Sequence, residues 1–211
     1  MANIHTLVFN DFQVNTFIVA DKSGDCVIVD PGCYYDSERK TLSEYITSNH
    51  LNVDRVINTH CHIDHILGNS FCCDYFQTGY YAHKAGMFFI EHGVAHGANY
   101  GFELDVPPAP TGFIDEDEII LVGEMELKVL YIPGHADGSI CLVNEKEEYV
   151  ITGDVLFNGG IGRTDLPTGD YDMLINGIRK KLFTLPDNFA VYPGHGPAST
   201  IGNEKRSNPF F

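Results

Sequence analysis

Short apolar runs rich in β-branched and aromatic residues alternate with Asn, Asp and Gly along most of the chain. Runs of this kind, bounded by turn residues, are typical of β-strands. We predict strands at residues 5–9, 15–20, 25–32, 53–60, 79–83, 118–122, 125–134, 139–145, 148–154 and 189–196. Strands that follow one another with only a short turn between them must pair antiparallel.

Other segments show the apolar spacing of helices instead. Tyr45 and Ile46, for example, follow Leu42 by three and four residues, so the three side chains fall on one face of a helix. We predict helices at residues 37–50, about 65–75, 84–97 and 171–185. The stretch 98–117 contains three prolines and several turn residues, which indicates a loop.

Four predicted strands end in a residue that can bind a metal ion. They lead to His60, His135, Asp154 and His195. A sheet whose strands end in such side chains presents them together at one edge, on a rigid support. The pattern therefore predicts one shared site at an edge of the sheet.

The segment NTHCHIDHILG concentrates further ligands around the first of these strand ends. His60 and His62 are two residues apart in an extended segment, so they point to the same side and can share one ion. Asp64 and His65 follow where the chain turns into a helix, and they can face a second ion. His135 can complete the first set.

His195 can complete the second set, and Asp154 can contact both ions because a carboxylate has two oxygens. Two ions about 3.5–4 Å apart can hold one hydroxide between them. Imidazole and carboxylate ligands suit zinc, iron or manganese. The absence of cysteine from every ligand position disfavours a purely structural zinc site.

Charge narrows the range of partners. The 211-residue chain has 13 Lys and Arg against 29 Asp and Glu, a formal net charge of −16. Nucleic acid phosphates and anionic membrane surfaces repel so acidic a chain. The sequence contains no run of about 18 apolar residues, the length that a membrane span needs. We expect neither nucleic acid nor a membrane as partner.

The six cysteines form no CxxC pair and no recognisable disulfide framework. The N-terminus lacks the basic and apolar segments of a signal peptide. Together these features favour free thiols and a location in the reducing cytoplasm. Cys61 lies between two candidate ligands, but the alternation of an extended segment turns it away from them, so we expect it to pack in the core.

The segments THCHIDH, PGHADGS, TGDVLF and YPGHGP, in this order and with these separations, resemble the metallo-β-lactamase superfamily of metal-dependent hydrolases. GRTDLPTGDYDML and the final YPGHGPASTIGNEKRSNPF are similar to its short glyoxalase II-like (hydroxyacylglutathione hydrolase-like) branch. The resemblance implies an α+β fold, a four-layer αβ/βα sandwich of two mixed sheets flanked by helices. It implies one domain over residues 1–211, without the C-terminal helical domain that binds glutathione in full-length glyoxalase II enzymes.

The implied ligand sets are His60, His62 and His135 for one ion and Asp64, His65 and His195 for the other, with Asp154 between them. Zinc is the expected metal, and iron and manganese stay open. The implied reaction is attack of the metal-bridging hydroxide on an acyl thioester such as S-lactoylglutathione, with Asp64 as the catalytic residue that orients the hydroxide. The thiolate leaves without a strong acid because thiols ionise near pKa ~8.5.

Two other activities stay open on the same residues. NTHCHIDHILG and GRTD also resemble the persulfide dioxygenases of this superfamily, which hold one iron by residues matching His60, His135 and Asp154. A lactonase or another ester hydrolase would use the two-metal site. The ending PGHGP favours hydrolysis. A homodimer and an inactive metal-binding module are compatible with the sequence as well.

Arg163 and three histidines outside the predicted ligand sets allow more than one interpretation. Arg163 follows a glycine-rich segment near the predicted site, where it either binds a substrate carboxylate with two nitrogens or pairs with Asp165 and fixes the loop. His92 and His96 are spaced like a zinc pair on a helix, but a third ligand is not evident nearby, so we interpret them and His83 as surface histidines. The aromatic-rich segment around them could instead line one wall of a substrate cleft.

Overall fold

The computed structural model describes residues 3–104 and 108–211. Within these residues, one six-stranded mixed sheet is formed by strands from the N-terminal half of the chain. In spatial order these are β1 (Asn3–Phe9), β2 (Val14–Ala20), β3 (Asp25–Val29), β4 (Asn52–Ile57), β5 (Gly79–Ala82) and β6 (Gly112–Phe113). The first three strands pair antiparallel, and β3 to β6 pair parallel.

The later strands are β7 (Ile119–Val122), β8 (Met125–Tyr131), β9 (Ile140–Asn144), β10 (Tyr149–Gly153), β11 (Leu156–Phe157), β12 (Gly160–Ile161), β13 (Ala190–Pro193) and β14 (Ser199–Thr200). Over the described ranges, six of them form a second mixed sheet in the order β14-β13-β10-β9-β8-β7. The strands β11 and β12 form a separate hairpin directly after β10.

The helices are α1 (Asp36–Ser48), α2 (Ile63–Ile66), α3 (Asn69–Phe76), α4 (Met87–Glu91), α5 (Gly93–Asn99), α6 (Tyr171–Lys180) and α7 (Ile201–Ser207). The helices α1 to α4 pack on the outer face of the first sheet, α5 packs against α2 and α4, and α6 and α7 pack on the outer face of the second sheet. In the part of the chain that the structure describes, none of them is long and apolar enough to cross a membrane.

Alternation along β3 shows how the layers are built. Val27 and Val29 face the second sheet, whereas Cys26 and Ile28 face the helices. Both faces of this strand are buried, which is why its sequence is an unbroken apolar run. Each fully buried aliphatic side chain contributes about 1.5–3 kcal/mol. The result is a helix-sheet-sheet-helix arrangement, so the predicted α+β four-layer sandwich is confirmed.

Two helices that the sequence predicts as continuous are interrupted in the structure. The helix expected at about 65–75 is interrupted, because Gly68 donates its N–H to Pro31 O at 2.7 Å and packs against the loop after β3. A Cβ at Gly68 would lie 2.5 Å from Cys33 Sγ. The helix expected at 84–97 is a 3-10 turn followed by α4 and α5, which meet at His92.

Several short elements are absent from the sequence prediction. The strand β6 lies inside the predicted loop 98–117, of which residues 105–107 fall outside the described residues. The hairpin β11–β12, the strand β14 and the helix α7 were not predicted either. The prediction of free thiols is confirmed, since all six cysteines are free and Cys61 is buried in the core.

Candidate metal centre

The candidate ligands come together at one edge of the two sheets. Each lies just beyond a strand end or in the short helix that follows one, as the strand-end pattern predicts. After β4 come His60, His62, Asp64 and His65, after β8 comes His135, after β10 comes Asp154, and after β13 comes His195.

Three histidines form the first group. His62 Nδ1 lies 3.1 Å from His60 Nε2 and 2.9 Å from His135 Nε2. Three nitrogens this close could hold one metal ion. The group joins a loop of the first sheet to a loop of the second, so the relative position of the two sheets determines its geometry.

The second group combines a carboxylate with two imidazoles. Asp64 Oδ2 lies 3.2 Å from His195 Nε2 and 3.5 Å from His65 Nε2, and the two Nε2 atoms are 3.2 Å apart. These three atoms could also hold one ion. Because Asp64 and His65 are adjacent in α2, a single helical turn supplies two of the three donors.

Asp154 lies between the two groups. Its Oδ1 is 3.4 Å from His65 Nε2, and its Oδ2 is 3.5 Å from His195 Nε2 and 3.7 Å from His135 Nε2. The buried Oδ1 atom has no hydrogen-bond partner within the described part of the chain. Such a group is costly unless something compensates its charge. The donor set and this oxygen without a hydrogen-bond partner therefore fit divalent metal ions.

Five of the seven candidate ligands have the protonation state that metal binding needs. Burial, reinforced by the neighbouring histidines, lowers the pKa of His60, and it lowers the pKa of His62 to about 3. Burial works against ionisation of Asp64 and Asp154, but the nearby histidines outweigh it, so the pKa of both carboxyls lies below the usual range. At His65 and His195 burial also opposes the charged form, but the carboxylates of Asp64 and Asp154 outweigh it and raise the pKa, so these two imidazoles must release a proton when they bind an ion.

The outer ring nitrogens of three ligand histidines are fixed by acceptors. The contacts are His65 Nδ1 to Asp30 Oδ2 at 3.0 Å, His135 Nδ1 to the Arg163 carbonyl at 2.8 Å, and His195 Nδ1 to the Phe12 carbonyl at 2.9 Å. An acceptor at Nδ1 keeps the proton there and leaves Nε2 free as a donor to a metal. These contacts therefore select the tautomer that can bind.

Asp30 is the important residue that sequence reasoning missed. It is fully buried and also accepts the Thr59 N–H at 2.7 Å and the Thr59 hydroxyl at 2.5 Å. It lies within ligand distance of His60 and His65, but its oxygens face the outer side of the His65 ring. We interpret it as an orienting residue. The sequence does contain a signal for Asp30, because VIVD, like ITGD, is an apolar strand that ends in a carboxylate.

Gly194 leaves space for the carboxylate of Asp154. A Cβ there would lie 2.3 Å from Asp154 Oδ1 and 2.8 Å from His65 Cε1. Gly194→Ala should therefore displace both side chains and lower metal affinity roughly 10–100-fold, the range seen when ligand-supporting groups are lost. Metal titration of the purified variant measures this. Gly160→Ala is the control, since its Cβ would make only ordinary contacts from 3.7 Å. Equal affinities for both variants would contradict the steric explanation.

The other residues considered in the sequence, Arg163, His83, His92 and His96, lie outside both ligand groups. Arg163 pairs with Asp165 through two nitrogens at 2.8 and 2.7 Å, the structural alternative considered for it. His92 lies on the surface away from the ligand groups, with its Nδ1 on the Phe88 carbonyl. The prediction of His83 as a surface histidine is wrong, because its side chain is only 12% exposed and stacks on Tyr131.

A cleft of about 290 Å³ opens onto the ligand groups. The aromatic-rich segment lines part of it, which agrees with the second interpretation of that segment. The residues that line the cleft are Phe12, His62, Ile63, Asp64, Phe89, His96, Asn99, Tyr100, His135, Asp154, Arg163, Leu166, Pro167 and His195. A small molecule placed here would contact the ligand groups directly.

The fold and the site together define a class, the αβ/βα sandwiches that hold metal through His and Asp side chains at a sheet edge. Residues 9–195 match the sequence model of the Metallo-beta-lactamase superfamily, and the chain belongs to this superfamily. It is 35% identical over 210 residues to hydroxyacylglutathione hydrolase GloC of Haemophilus influenzae, covering 99% of this chain and 97% of that one.

Solved structures agree with this assignment. A B3 metallo-β-lactamase, BLEG-1, matches with a TM-score of 0.89 and 29% identity, covering 99% of both chains. The protein TTHA1623 in a di-iron-bound form matches with a TM-score of 0.87 and 30% identity, covering 98% of this chain and 100% of that chain. The family and the two His/Asp groups together support a metal-dependent hydrolase.

Proposed function

We propose that this protein is a binuclear metal-dependent hydrolase that cleaves acyl thioesters. The observation that carries the proposal is the position of Asp154, whose two oxygens face two separate three-residue ligand groups. His60, His62 and His135 would hold one ion, and Asp64, His65 and His195 the other, with Asp154 in contact with both. Two bound ions supply an acidified water as nucleophile and polarise the carbonyl oxygen of the substrate.

The protein's own residues would orient the nucleophile and hold the ligand histidines in position. Asp64 would help to hold its ion and would orient the nucleophilic hydroxide as a hydrogen-bond acceptor, which makes Asp64 the proposed catalytic residue. Cys61 is no competing nucleophile, because burial raises the pKa of its thiol to about 12 and the side chain lies in the core. The Asp30, Arg163 and Phe12 contacts hold the ligand histidines in place.

Thioesters are the proposed substrate class for a chemical and a comparative reason. A thiolate leaves without a general acid, so cleavage would not depend on His96 and Tyr100, the non-ligand imidazole and phenol among the described residues that line the cleft. The similarity to GloC makes S-lactoylglutathione the first substrate to test. Zinc is the proposed metal on ligand type, while the di-iron form of TTHA1623 makes iron the second metal to test.

The test combines metal analysis with two activity assays on one preparation. We expect about two ions per chain by mass spectrometry on protein purified without added metal, together with hydrolysis of S-lactoylglutathione. Removal of the ions by a chelator should abolish hydrolysis, and added zinc should restore it. His92→Ala is the control and should change neither reading, since His92 lies outside both ligand groups.

The other outcomes discriminate between the alternatives. One iron per chain with oxygen uptake on glutathione persulfide would overturn the hydrolase in favour of a dioxygenase that uses His60, His135 and Asp154. Two ions with hydrolysis of lactones or of a β-lactam, and not of thioesters, would keep the metal centre and overturn the substrate class.

A further inference from the structure

Two exposed aromatic side chains meet at the cleft of the candidate metal centre. Phe12 and Tyr100 both line this cleft, yet Phe12 is 40% and Tyr100 is 55% exposed to water. Their rings pack edge to face, with centroids 5.4 Å apart and 84° between the ring planes. Exposed apolar surface beside a cleft is typical of a ligand-binding groove. The two rings therefore offer surface that a bound substrate could cover.

The backbone of Phe12 is tied to the second ligand group. Phe12 lies in the tight turn between β1 and β2, where its N–H donates to Asn10 Oδ1 at 2.9 Å. The Asn10 side chain donates to the Asp64 carbonyl at 3.0 Å, and the Phe12 carbonyl accepts from His195 Nδ1 at 2.9 Å. The ring of Phe12 makes none of these hydrogen bonds, so its replacement leaves the support of the ligands in place.

The position of Tyr100 is set by the end of α5. The N–H groups of Tyr100 and Phe102 both donate to the Gly97 carbonyl, at 2.9 and 3.0 Å. Gly101, between them, has a φ of +81°, the left-handed conformation in which glycine commonly ends a helix. Phe102 is buried and packs edge to face on Tyr34, with centroids 4.8 Å apart. Phe102 thus anchors the turn in the core and leaves the ring of Tyr100 at the cleft.

The first ligand group has an apolar wall as well. Phe89 contacts the ring of His62 edge to face, with centroids 4.7 Å apart, and Ile63 also lines the cleft. Phe89 and Ile63 are buried in the protein, whereas Phe12 and Tyr100 still have much surface in contact with water. An apolar substrate group therefore gains most by covering the exposed pair.

The proposed reaction limits which part of a thioester can lie against this pair. The attacked carbonyl carbon must reach the ligand groups, so the acyl chain and the thiol part both begin inside the cleft. With about 290 Å³, the cleft lies at the lower end of small-molecule sites, about 300–1,000 Å³, and takes only the part of a glutathione thioester around the carbonyl. The glutathione part is a charged peptide and gains little from aromatic surface. An apolar acyl chain gains about fourfold in affinity for each methylene that leaves water.

We propose that Phe12 and Tyr100 form an acyl-chain subsite that favours thioesters with linear apolar acyl groups, and that the ring of Tyr100 is the specificity-determining group. The inference rests on the proposed thioesterase function and names the acyl class within it. A glutathione thiol part is compatible with the subsite, because the two rings contact the acyl side of the substrate. Tyr100 acts through its ring, and its hydroxyl takes no part in the reaction.

The first experiment varies the acyl chain of glutathione thioesters in the metal-loaded wild-type protein. S-propionylglutathione and S-hexanoylglutathione share the thiol part and the same kind of carbonyl, and they differ by three methylenes. We expect kcat/KM to be about tenfold or more higher for the hexanoyl thioester, because each methylene that leaves water is worth about fourfold. Equal values, or a preference for the propionyl thioester, would overturn the subsite and leave the thioesterase standing.

Variants of the two aromatic residues test where the preference comes from. Tyr100→Ala should lower the hexanoyl-to-propionyl ratio of kcat/KM roughly fourfold or more, the value of at least one methylene left in water. Tyr100→Phe should keep the ratio, because the ring remains. Phe12→Ala should lower the ratio without loss of metal, since the backbone contact to His195 remains. A wild-type ratio in Tyr100→Ala, or a lowered ratio in Tyr100→Phe, would overturn the proposal.

Tyr75→Ala is the matched control for Tyr100→Ala. Tyr75 is 56% exposed and packs edge to face on Phe76, with centroids 5.0 Å apart, but it lies on α3 outside the residues that line the cleft. The variant should keep the wild-type ratio. A fall equal to that in Tyr100→Ala would assign the effect to the general loss of a surface aromatic ring and overturn the proposal.

A binding measurement separates the subsite from the reaction. S-methylglutathione and S-hexylglutathione are thioethers without a carbonyl to attack, and their alkyl groups stand in for the acyl chain. Calorimetric titration of the metal-loaded protein should show about tenfold or more tighter binding of S-hexylglutathione in the wild type, and a smaller difference in Tyr100→Ala. If this difference is found but no thioester is hydrolysed, the thioesterase fails and the subsite stands. Equal binding of both thioethers to the wild type would overturn the subsite whatever the activity.

Discussion

Asp154→Asn should lower the metal content from about two ions per chain to one or none and should reduce hydrolysis more than about 100-fold, the upper range for groups that only support a ligand. The carboxylate faces both ligand groups, with oxygens 3.4 Å from His65 and 3.7 Å from His135. Asparagine keeps the shape, but it offers one oxygen and one N–H donor, and it lacks the negative charge that compensates two cations.

The measurement is metal content by mass spectrometry and zinc affinity by titration, alongside kcat. The control is Asp117→Asn, which should keep metal and activity because its carboxylate lies on the surface beside Lys128. Full metal content with normal hydrolysis in Asp154→Asn would contradict the contact with both ions. One ion bound at wild-type affinity would show that the two groups work independently.

The spacing of the candidate ligands along the chain predicts most of the residues that meet at the candidate site. The two-residue step from His60 to His62 predicts a shared side, and their ring nitrogens indeed lie 3.1 Å apart. The apolar strands that end in His135, Asp154 and His195 predict a common edge, and the second sheet delivers all three there, next to the histidine cluster that follows β4 of the first sheet. Strand alternation also predicted that Cys61 packs in the core. Local periodicity sufficed in each case because the strands impose the geometry.

Tertiary contacts determined what the sequence did not predict. Gly68 interrupts the helix after the His cluster because its N–H and its missing Cβ fit the loop at Pro31. The helix α7 is short and polar, so its apolar spacing is weak, and what holds it is the buried Glu204. That carboxylate accepts the Gly159 N–H at 2.9 Å and contacts Ser199, which no pattern in the chain indicates.

The candidate metal centre also depends on Asp30, which orients the ring of His65 through Nδ1. Its carboxylate accepts from the Thr59 backbone, the Thr59 hydroxyl and the His65 ring, and so connects β3 to the His cluster after β4. Asparagine has one acceptor oxygen and one donor nitrogen in the same place. If the nitrogen faces His65, the ring must accept at Nδ1 and carry its proton on Nε2, the atom that faces Asp64 and His195. If the oxygen faces His65, the nitrogen opposes the Thr59 N–H.

Asp30→Asn should therefore lower metal affinity at the group of Asp64, His65 and His195 roughly 10–100-fold, with a smaller effect on the group of His60, His62 and His135. It should also lower the free energy of unfolding by about 1–3 kcal/mol, since one buried polar group loses its partner. Zinc titration with denaturant unfolding measures both. Glu204→Gln is the control, because it alters an equally buried carboxylate that contacts no ligand histidine. If both variants lose stability but only Asp30→Asn loses the second ion, the His65 tautomer is the cause. Equal loss of that ion in both would reduce Asp30 to a general packing role.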